Sequence, residues 1–568
     1  MGCFIPTQST PDHDQKIISL LGIAGSMKEK ERLPLDPRAV MRYLPVISLS
    51  KMQPLHLVWF KRDLRVTDHR PLLEASSDRN VLCFYVFEPE ILESREYAAH
   101  HHRFILESLG KLEVSLRKLQ SGLTLLQGEM VQVLSDLHQH HGVASLRSHA
   151  ETGNGITYRR DQRVAEWCRT HGVPWHEYRQ DGVVRRLRNR NGWSARWEKH
   201  MAQETAPSPK AIQGPRIQGI HLSEAAQLTG IQPSTVQDAQ RGGESQALAT
   251  LDSFLHQRSV HYRSDMSSPE EGWSGCSRLS PYLAWGCLSM KTVTQAARSR
   301  RETLKAQRAS GEDIPSTWVP SIRSFESRLR WHCHFMQKLE DEPELEFHNL
   351  CRSYDGMRED AFNPSHFERW KEGLTGYPMV DACMRALRHT GWLNFRMRAM
   401  LASFSSYHLW LHWREPAMYL GGLFLDFEPG IHFSQFQMQS GTTGINTIRI
   451  YSPAKQARDQ DPQGTFIRRW VPELEGVPLS YLAEPHLMTL DQQDQAGCLI
   501  GKDYPRPVVE HATAYREARQ KLAAFRNRTE TRQEAKAVFL KHGSRKGRRD
   551  PIPKTGSSPS NEQQPLLI

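Results

Sequence analysis

The first third of the chain combines short apolar runs with stretches of helical spacing. Four runs bounded by polar residues predict strands, at 55–60, 81–87, 123–126 and 143–146. Residues 103–120 and 161–171 instead space their apolar side chains mainly as a helix does. Strands that alternate with helices indicate a parallel sheet covered on both faces. We therefore expect a Rossmann-like α/β domain over residues 52–185.

The pattern changes after this region. Pro, Gln and Gly become frequent over 205–243, which is typical of a connecting segment, and we set the linker at 186–245. From 246 to 528 the strand patterns nearly vanish, and aromatic-rich segments with helical spacing follow one another. The sequence therefore predicts a large all-α domain after the linker.

Both ends of the chain differ from these two domains. Residues 1–51 carry no convincing signal peptide, and Met52 stands just before the first predicted strand. We interpret them as a disordered extension or an artefact of an upstream start. Residues 529–568 contain a basic run and a segment rich in Ser, Pro, Gln and Asn. Because such a segment buries little apolar surface, we expect a disordered basic and polar tail.

The charge balance suggests a class of partner. The 568 residues include 74 Lys and Arg against 63 Asp and Glu, a net charge of +11. This excess indicates either a polyanionic partner, since Lys and Arg displace counterions from phosphates, or an ordinary solvated basic surface. The chain has no run of about 18 apolar residues, so we expect no membrane span.

Cysteine and histidine usage bounds the compartment and the metal chemistry. Nine cysteines without a CxxC pair favour a reducing compartment over a disulfide framework, and we expect a cytoplasmic protein. The histidine-rich segments 100–102 and 138–141 have no carboxylate or cysteine at ligand spacing. We therefore predict no metal site.

One Gly/Ser segment of the helical region suits a phosphate. Residues 275–280 run into a predicted helix over 282–288, with Ser280 as the N-cap and Pro281 at the first helical position. Free amides and the positive end of the helix dipole attract anions, although most Ser-Pro helix starts bind nothing. On this pattern alone the segment is either a phosphate site or an ordinary helix start.

A second segment brings acids and a histidine together. Asp426, Glu428 and His432 lie in a short stretch broken by Pro and Gly. The two carboxylates either serve as general acid and general base or pair with buried arginines. Arg396 and Arg398 are two positions apart, so on a helix they point roughly 200° from one another. We expect one of these arginines to face inward and the other to face solvent.

The order of five motifs resembles the cryptochrome/photolyase family of flavoproteins over about 55–526. The residues that carry the resemblance are LVWFKRDLR at 57–65, SRLS at 277–280, Trp370 with TGYPMVDA at 375–382, TGW at 390–392 and FIRRWVPEL at 466–474. The resemblance implies an N-terminal α/β antenna domain, a long linker and an all-helical domain that binds FAD. This organisation agrees with the one predicted from periodicity.

The resemblance also implies a set of residues around FAD. The positions that match contacts to the FAD phosphates are Tyr262, Ser277, Arg278, Leu279 and Ser280. Trp392 matches a wall of the flavin pocket, and Arg398 and Asp426 match an Arg–Asp pair beside the reactive edge of the flavin. A cation there stabilises a reduced, anionic flavin. Glu428 keeps the charge of a second acid, and His432 stands opposite flavin N5, where the family commonly has Asn or an acid.

Substrate contacts follow from the same resemblance. Trp331 matches a Trp that stacks on a flipped-out pyrimidine dimer, and Arg396 and Arg449 match contacts to DNA phosphates. Three positions depart from the family: Arg328 replaces a Glu that hydrogen-bonds the lesion, His332 replaces a phosphate-contacting Arg, and Met438 replaces the second aromatic of the lesion pocket.

The tryptophan relay that re-reduces the flavin in this family is incomplete here. Phe436 stands at the position of the proximal Trp and Asp360 at that of the distal one, so only Trp413 remains. If the segment is helical, Trp410 lies one turn before Trp413 and offers another route. The resemblance thus implies slower photoreduction than in relatives with a complete relay.

Two functions of different classes remain open, with a non-photochemical flavoprotein as a third. The first is a blue-light-driven lyase that splits pyrimidine dimers in ultraviolet-damaged DNA by electron transfer from reduced FAD. The second is a cryptochrome-type photoreceptor with little or no repair activity. A folate or deazaflavin antenna near residues 151–154 is also open, and we expect a monomer.

Overall fold

The N-terminal region contains a five-stranded parallel sheet. This computed structural model describes residues 53–187 and 189–543. The strands are β1 (Leu55–Phe60), β2 (Val81–Phe87), β3 (Leu123–Gln127), β4 (Val143–His149) and β5 (Trp175–Tyr178). They pair in the order β3-β2-β1-β4-β5, and each pair is parallel. The predicted Rossmann-like sheet is confirmed.

Helices cover this sheet and connect its strands, as parallel pairing requires. They are α1 (Arg70–Ala75), α2 (Pro89–Leu92), α3 (Ala99–Lys118), α4 (Met130–His141) and α5 (Gly155–Thr170). Neighbouring residues of β1 enter different cores, because successive side chains point to opposite faces. Leu57 and Trp59 belong to the core under α4 and α5, whereas Val58 and Phe60 belong to a core that continues into the helical region.

The predicted linker packs on the sheet. It contains α6 (Trp193–Met201) and α7 (Leu222–Ala225), and the Val81 amide donates to the Gln213 carbonyl at 2.9 Å. A Cβ on Gly214 would lie 1.9 Å from the Val81 carbonyl oxygen, so only glycine fits this approach. The segment is therefore a fixed strap across the strands.

The remainder of the described chain is helical, as predicted. The first helices are α8 (Glu244–His256), α9 (Tyr262–Asp265), α10 (Glu271–Gly275), α11 (Ser280–Ala284), α12 (Met290–Ala309), α13 (Trp318–Asp341), α14 (Pro364–Glu372) and α15 (Pro378–Thr390). They are followed by α16 (Phe395–Ser403), α17 (Arg414–Gly421), α18 (Pro429–Ser440), α19 (Pro453–Gln460), α20 (Thr465–Trp470), α21 (Leu490–Gln495), α22 (His511–Arg526) and α23 (Thr529–His542).

Single turns of 3₁₀-helix and one π-helix complete the helical region. The 3₁₀ turns are Arg258–His261, Pro343–Glu346, Arg352–Tyr354, Glu359–Ala361, Pro472–Leu474 and Pro485–Leu487, and the π-helix is Phe404–His408. Helices α13 and α18 pack against each other and carry many of the candidate residues. No helix among residues 53–187 and 189–543 is long and apolar enough to cross a membrane.

The start of the C-terminal segment differs from the expectation of a disordered tail. Residues 529–542 form α23, which buries Thr531, Val538 and His542. The Glu534 carboxylate accepts the backbone N–H groups of Arg352 and Ser353, both at 2.7 Å, and so holds this helix to a neighbouring turn. The expected tail after 543 and the extension 1–51 lie outside the described residues.

Candidate functional site

The helical region encloses a cavity of about 250 Å³. Its walls come from the segment before α11, from α13 and α16, and from the start of α18. The cavity brings together these predicted residues: Tyr262, Ser277, Arg278, Leu279, Ser280, Arg328, His332, Trp392, Arg398, Asp426, Glu428 and His432. Residues up to 170 positions apart in the chain thus line one cavity.

An arginine–carboxylate pair lies on this wall. Arg398 donates from Nη1 and Nη2 to the two oxygens of Asp426, at 2.9 and 2.8 Å, and from Nε to the Leu393 carbonyl at 2.8 Å. Its guanidinium carbon lies 4.0 Å from the centre of the Phe424 ring. Burial alone would raise the pKa of Asp426, but Arg398 outweighs it and holds that pKa below its ordinary value. Asp426 is therefore a carboxylate that two parallel hydrogen bonds join to Arg398.

Arg278 is a buried cation without a carboxylate partner among the described residues. Its backbone has the left-handed φ of 58°, which costs about 1–2 kcal/mol for a non-glycine residue. Nε donates to the Gln240 side chain at 3.1 Å, and Nη1 is buried without an acceptor. Burial lowers the pKa of Arg278 to about 10. A buried charge in this state fits an anionic ligand such as a phosphate.

The helix that was expected to bind phosphate is shorter than predicted. Helix α11 has five residues, with Leu279 at the N-cap, so Ser280 and Pro281 occupy its first two positions. The Ser280 hydroxyl is hydrogen-bonded to Asp426 and does not cap the helix. The prediction of Ser280 as N-cap is therefore wrong, and Arg278 is the better candidate for holding an anion.

His332 and Glu428 form an ion pair beside the cavity. Their Nε2 and Oε2 atoms are 2.7 Å apart, and both side chains are nearly buried. Burial would lower the pKa of His332, but the Glu428 carboxylate raises it well above its ordinary value. His332 thus neutralises Glu428. It was expected at the position of a contact to a DNA phosphate, but its charge is paired within the protein.

His432 is neutral and has a fixed tautomer. Its Nε2 lies 2.7 Å from the Ala417 carbonyl oxygen, which only accepts, so Nε2 carries the hydrogen. Burial lowers the pKa of His432 to about 4. Nδ1 therefore keeps its lone pair, and the ring offers the cavity a hydrogen-bond acceptor.

Several predicted residues do not line the cavity. Trp331 lies on α13 and packs against His334 and Phe335, with ring centres 4.9 and 5.8 Å away. Met438 is half-buried on α18. Arg396 is half-buried and Arg449 is exposed. The pKa of Arg396 is lowered mainly by burial and also by the charge of Arg449. Arg398 faces the cavity and Arg396 does not, as their spacing predicted.

The aromatic residues of the expected relay differ in their position relative to the cavity. Phe436 lines the cavity, whereas Trp413 is fully buried behind it and donates Nε1–H to Asn349 at 2.8 Å. Trp410 follows the π-helix in an irregular segment, with a positive φ of 53°. The expectation that Trp410 and Trp413 share a helical turn is wrong, because the chain leaves the helix before Trp410.

The expected antenna region is filled by ion pairs. Near the carboxyl ends of β1, β2 and β4, Arg160 contacts Glu88 at 2.9 Å, Glu151 at 2.7 Å and Asp161 at 2.9 Å. Lys61 lies 3.3 Å from Asp161. The two cavities beside this network measure about 60 and 50 Å³. The position is a switch point of the sheet, where open α/β folds bind ligands.

In the described ranges, one histidine-rich cluster has the spacing of a metal site. Asp63 lies 2.7 Å from His149 and 3.0 Å from His69. The Leu72 amide donates to Nδ1 of His69, so Nε2 of His69 carries a hydrogen and donates to Asp63. A metal would have to displace that hydrogen. We therefore interpret the cluster as a hydrogen-bonded structural unit.

Sequence reasoning missed two residues that hold Arg278. Gln240 lies in the segment assigned to the linker, where nothing local marks a ligand contact. Trp273 precedes the SRLS motif by four positions, and its ring centre lies 3.9 Å from the Arg278 guanidinium. The available signal was an aromatic residue close in the chain to Arg278, which the resemblance assigns to the FAD phosphates.

Two family models and several known proteins match this chain. The chain matches the model "FAD binding domain of DNA photolyase" over residues 325–524 and the model "DNA photolyase" over 56–195. It is 28% identical over 482 residues to a Cryptochrome DASH of Gloeobacter violaceus, covering 80% of this chain and 93% of that protein. It is also 28% identical over 500 residues to a deoxyribodipyrimidine photo-lyase of Agrobacterium fabrum, covering 83% and 98%.

A solved structure gives the same result. A bacterial class III photolyase from Agrobacterium tumefaciens superimposes with a TM-score of 0.72 at 26% identity, covering 85% of this chain and all of that one. The chain therefore belongs to the cryptochrome/photolyase family, and its helical domain is of the FAD-binding type. Because repair photolyases and cryptochromes both occur among the relatives, family membership does not choose between them.

Proposed function

We propose that this protein repairs pyrimidine dimers in ultraviolet-damaged DNA with blue light, through electron transfer from reduced FAD. The observation that carries the proposal is the uncompensated cation Arg278 beside a large cavity in a domain of the FAD-binding type. When bound, FAD supplies light absorption and a single electron. The chain supplies the binding site, the electrostatic environment and the DNA contacts.

The residues of the cavity fit FAD. Arg278 offers a buried positive charge to the two phosphates, and Trp392 forms an apolar wall. Arg398, fixed by Asp426, holds a second positive charge at the wall, which favours an electron-rich flavin. His432 adds an acceptor that stays neutral above a pH of about 4.

Contacts to DNA come from cations outside the cavity. Arg396 is half-buried and Arg449 is exposed; both lie outside the cavity lining, and each is proposed to contact a backbone phosphate. Arg328 and Met438 replace the Glu and the aromatic that a dimer meets in the family, and Trp331 contacts His334 and Phe335 outside the cavity lining. We infer an atypical lesion pocket.

Light sensing with little or no repair is the second candidate. It is favoured by Arg328 on the cavity wall and by the position of Trp331 away from it. Under either function we expect a monomer in a reducing, cytoplasmic compartment. A folate or deazaflavin antenna also remains a proposal.

The deciding experiment measures dimer loss in ultraviolet-irradiated single- and double-stranded DNA. Chemically pre-reduced protein is compared under blue light and in darkness, with the Arg396→Ala/Arg449→Ala variant as the matched control for DNA contact. Repair predicts dimer loss only in the light, and less of it in the variant. A flavin-loaded protein that binds this DNA but leaves the dimers intact under light would favour the sensor.

A further inference from the structure

Two tryptophans form a corner around the guanidinium of Arg278. The rings of Trp273 and Trp392 meet at 78°, with centres 5.8 Å apart. The guanidinium carbon lies 3.9 Å from the centre of Trp273 and 4.0 Å from that of Trp392. A cation at these distances is attracted by the electron-rich face of each indole ring. We call these two residues the tryptophan corner.

The two members of the corner differ in exposure. Trp392 is 7% exposed and lines the cavity, whereas Trp273 is 44% exposed and is not part of the cavity lining. Arg278 itself is buried and lines the cavity between them. Trp273 is thus the outer wall of the corner, between Arg278 and solvent.

Gln240 fixes Arg278 at two further points. The Gln240 amide donates to the Arg278 carbonyl at 2.9 Å, and its oxygen accepts from Arg278 Nε at 3.1 Å. Together with the left-handed backbone, these contacts define one position of the side chain. None of the groups that hold the guanidinium is a carboxylate, so its charge stays available to a ligand.

This arrangement is suited to a phosphate. A carboxylate partner would stabilise the buried cation but would repel an incoming anion. Two indole faces and a neutral amide stabilise the cation without adding a negative charge. Pre-orientation also lowers the entropy that a ligand must lose by ordering the side chain.

We infer that Trp273 is a positioning residue for a pyrophosphate-bearing ligand. With Trp392 and Gln240 it holds Arg278 against the cavity and shields the cation–phosphate contact from solvent, and so slows release of the ligand. The identity of the ligand as FAD rests on the proposed function. The role of Trp273 as a holder of an anion-binding cation rests on the geometry of the corner.

The first test measures FAD release from the full chain by the rise of flavin fluorescence after dilution. We expect Trp273→Ala to release FAD about tenfold faster, since one cation–π contact is removed and the cation becomes solvated. Trp273→Phe keeps an aromatic face and should release FAD within about twofold of the parent. The matched control is Trp318→Ala, which removes a ring 4.6 Å from Arg300, outside the cavity lining.

The second test uses inorganic pyrophosphate and riboflavin as separate probes on flavin-free protein, by titration calorimetry. We expect pyrophosphate to bind about tenfold more weakly to Trp273→Ala, and riboflavin, which lacks phosphate, to bind both proteins alike. Gln240→Leu, which leaves both rings in place, should also lower the affinity for pyrophosphate. It keeps the test decisive if Trp273→Ala does not fold.

The outcomes separate the inference from the proposed function. If the parent carries no FAD but Trp273→Ala weakens pyrophosphate, the proposed function fails and the role of Trp273 stands. If the parent carries FAD and Trp273→Ala releases it at the parental rate, the inference is overturned. It is also overturned if Trp273→Phe releases FAD as fast as Trp273→Ala, or if pyrophosphate binds all variants alike.

Discussion

Two buried arginines, Arg160 in the α/β domain and Arg278 in the helical domain, have opposite surroundings. Arg160 contacts three carboxylates of its own chain, beside a space of about 60 Å³. Arg278 meets two indole faces and Gln240, beside a space of about 250 Å³. Burial would lower the pKa of both, but the carboxylates raise that of Arg160 well above its ordinary value, whereas that of Arg278 falls to about 10.

The difference distinguishes a structural charge from a binding charge. Removing a cation from water costs several kcal/mol unless an anion is supplied. The chain supplies the anions for Arg160, so the charge of that residue is compensated within the fold. Around Arg278 the described residues supply no such anion, and this is the basis of the proposed ligand site. A buried cation without a carboxylate, beside a large cavity, is therefore a better indicator of a ligand site than a dense charge cluster.

The largest effect is expected from Arg160→Leu. This change leaves Glu88, Glu151 and Asp161 buried with one fewer cation, and we expect a loss of about 3–5 kcal/mol in the free energy of unfolding. The flavin content of the folded fraction should not change. Urea unfolding together with the flavin-to-protein absorbance ratio checks both statements. A loss of flavin at parental stability would assign Arg160 to the ligand site.

Acidification should act on the cavity through His432. Its pKa falls from 6.5 to about 4 on folding, so the unfolded state binds more protons between these values and stability is lost as the pH falls from 6.5 to 4. At pH 4.5 this loss amounts to about 2–3 kcal/mol. His432→Asn keeps a donor for the Ala417 carbonyl and should lose less stability over this window. Equal losses in parent and variant, in urea unfolding at pH 7 and 4.5, would contradict the prediction.

Arg398→Ala should affect stability less and flavin more. The Arg398 side chain is a quarter exposed, so we expect a loss of about 2 kcal/mol, since Asp426 stays buried without its partner. Flavin retention should fall strongly, because the second cation of the cavity is removed. Thermal unfolding and the absorbance ratio measure the two effects. Arg398→Lys, which keeps the charge but not the two parallel hydrogen bonds, should be intermediate.

The smallest effect on the fold is expected from the two cations outside the cavity, Arg396 and Arg449. Arg396→Ala/Arg449→Ala should weaken binding to damaged and undamaged DNA alike and reduce the salt slope of binding by about 2, one for each phosphate contact. Stability and flavin content should stay parental. Fluorescence anisotropy at several salt concentrations checks this. An unchanged slope would place the DNA contact elsewhere.

The sequence predicted the scaffold better than the contacts. Strands β1 and β2 were predicted with their observed bounds, because parallel strands buried on both faces form continuous apolar runs. The residues that line the cavity were predicted from the family resemblance and not from periodicity. The hydrogen bonds between Gln240 and Arg278 were not predictable, since they depend on where the linker segment 186–245 passes the helical domain. Helix α23 was missed because only a few of its residues are buried.

The most direct test of the account is the flavin-to-protein ratio of Arg278→Leu beside that of the parent and of Arg160→Leu, after each is saturated with FAD and desalted. We predict FAD in the parent and in the folded fraction of Arg160→Leu, and at least tenfold weaker retention in Arg278→Leu. We also predict that flavin-free Arg278→Leu is as stable as the flavin-free parent or more so, because a buried charge without a carboxylate partner has been removed. Parental flavin content in Arg278→Leu would contradict the account.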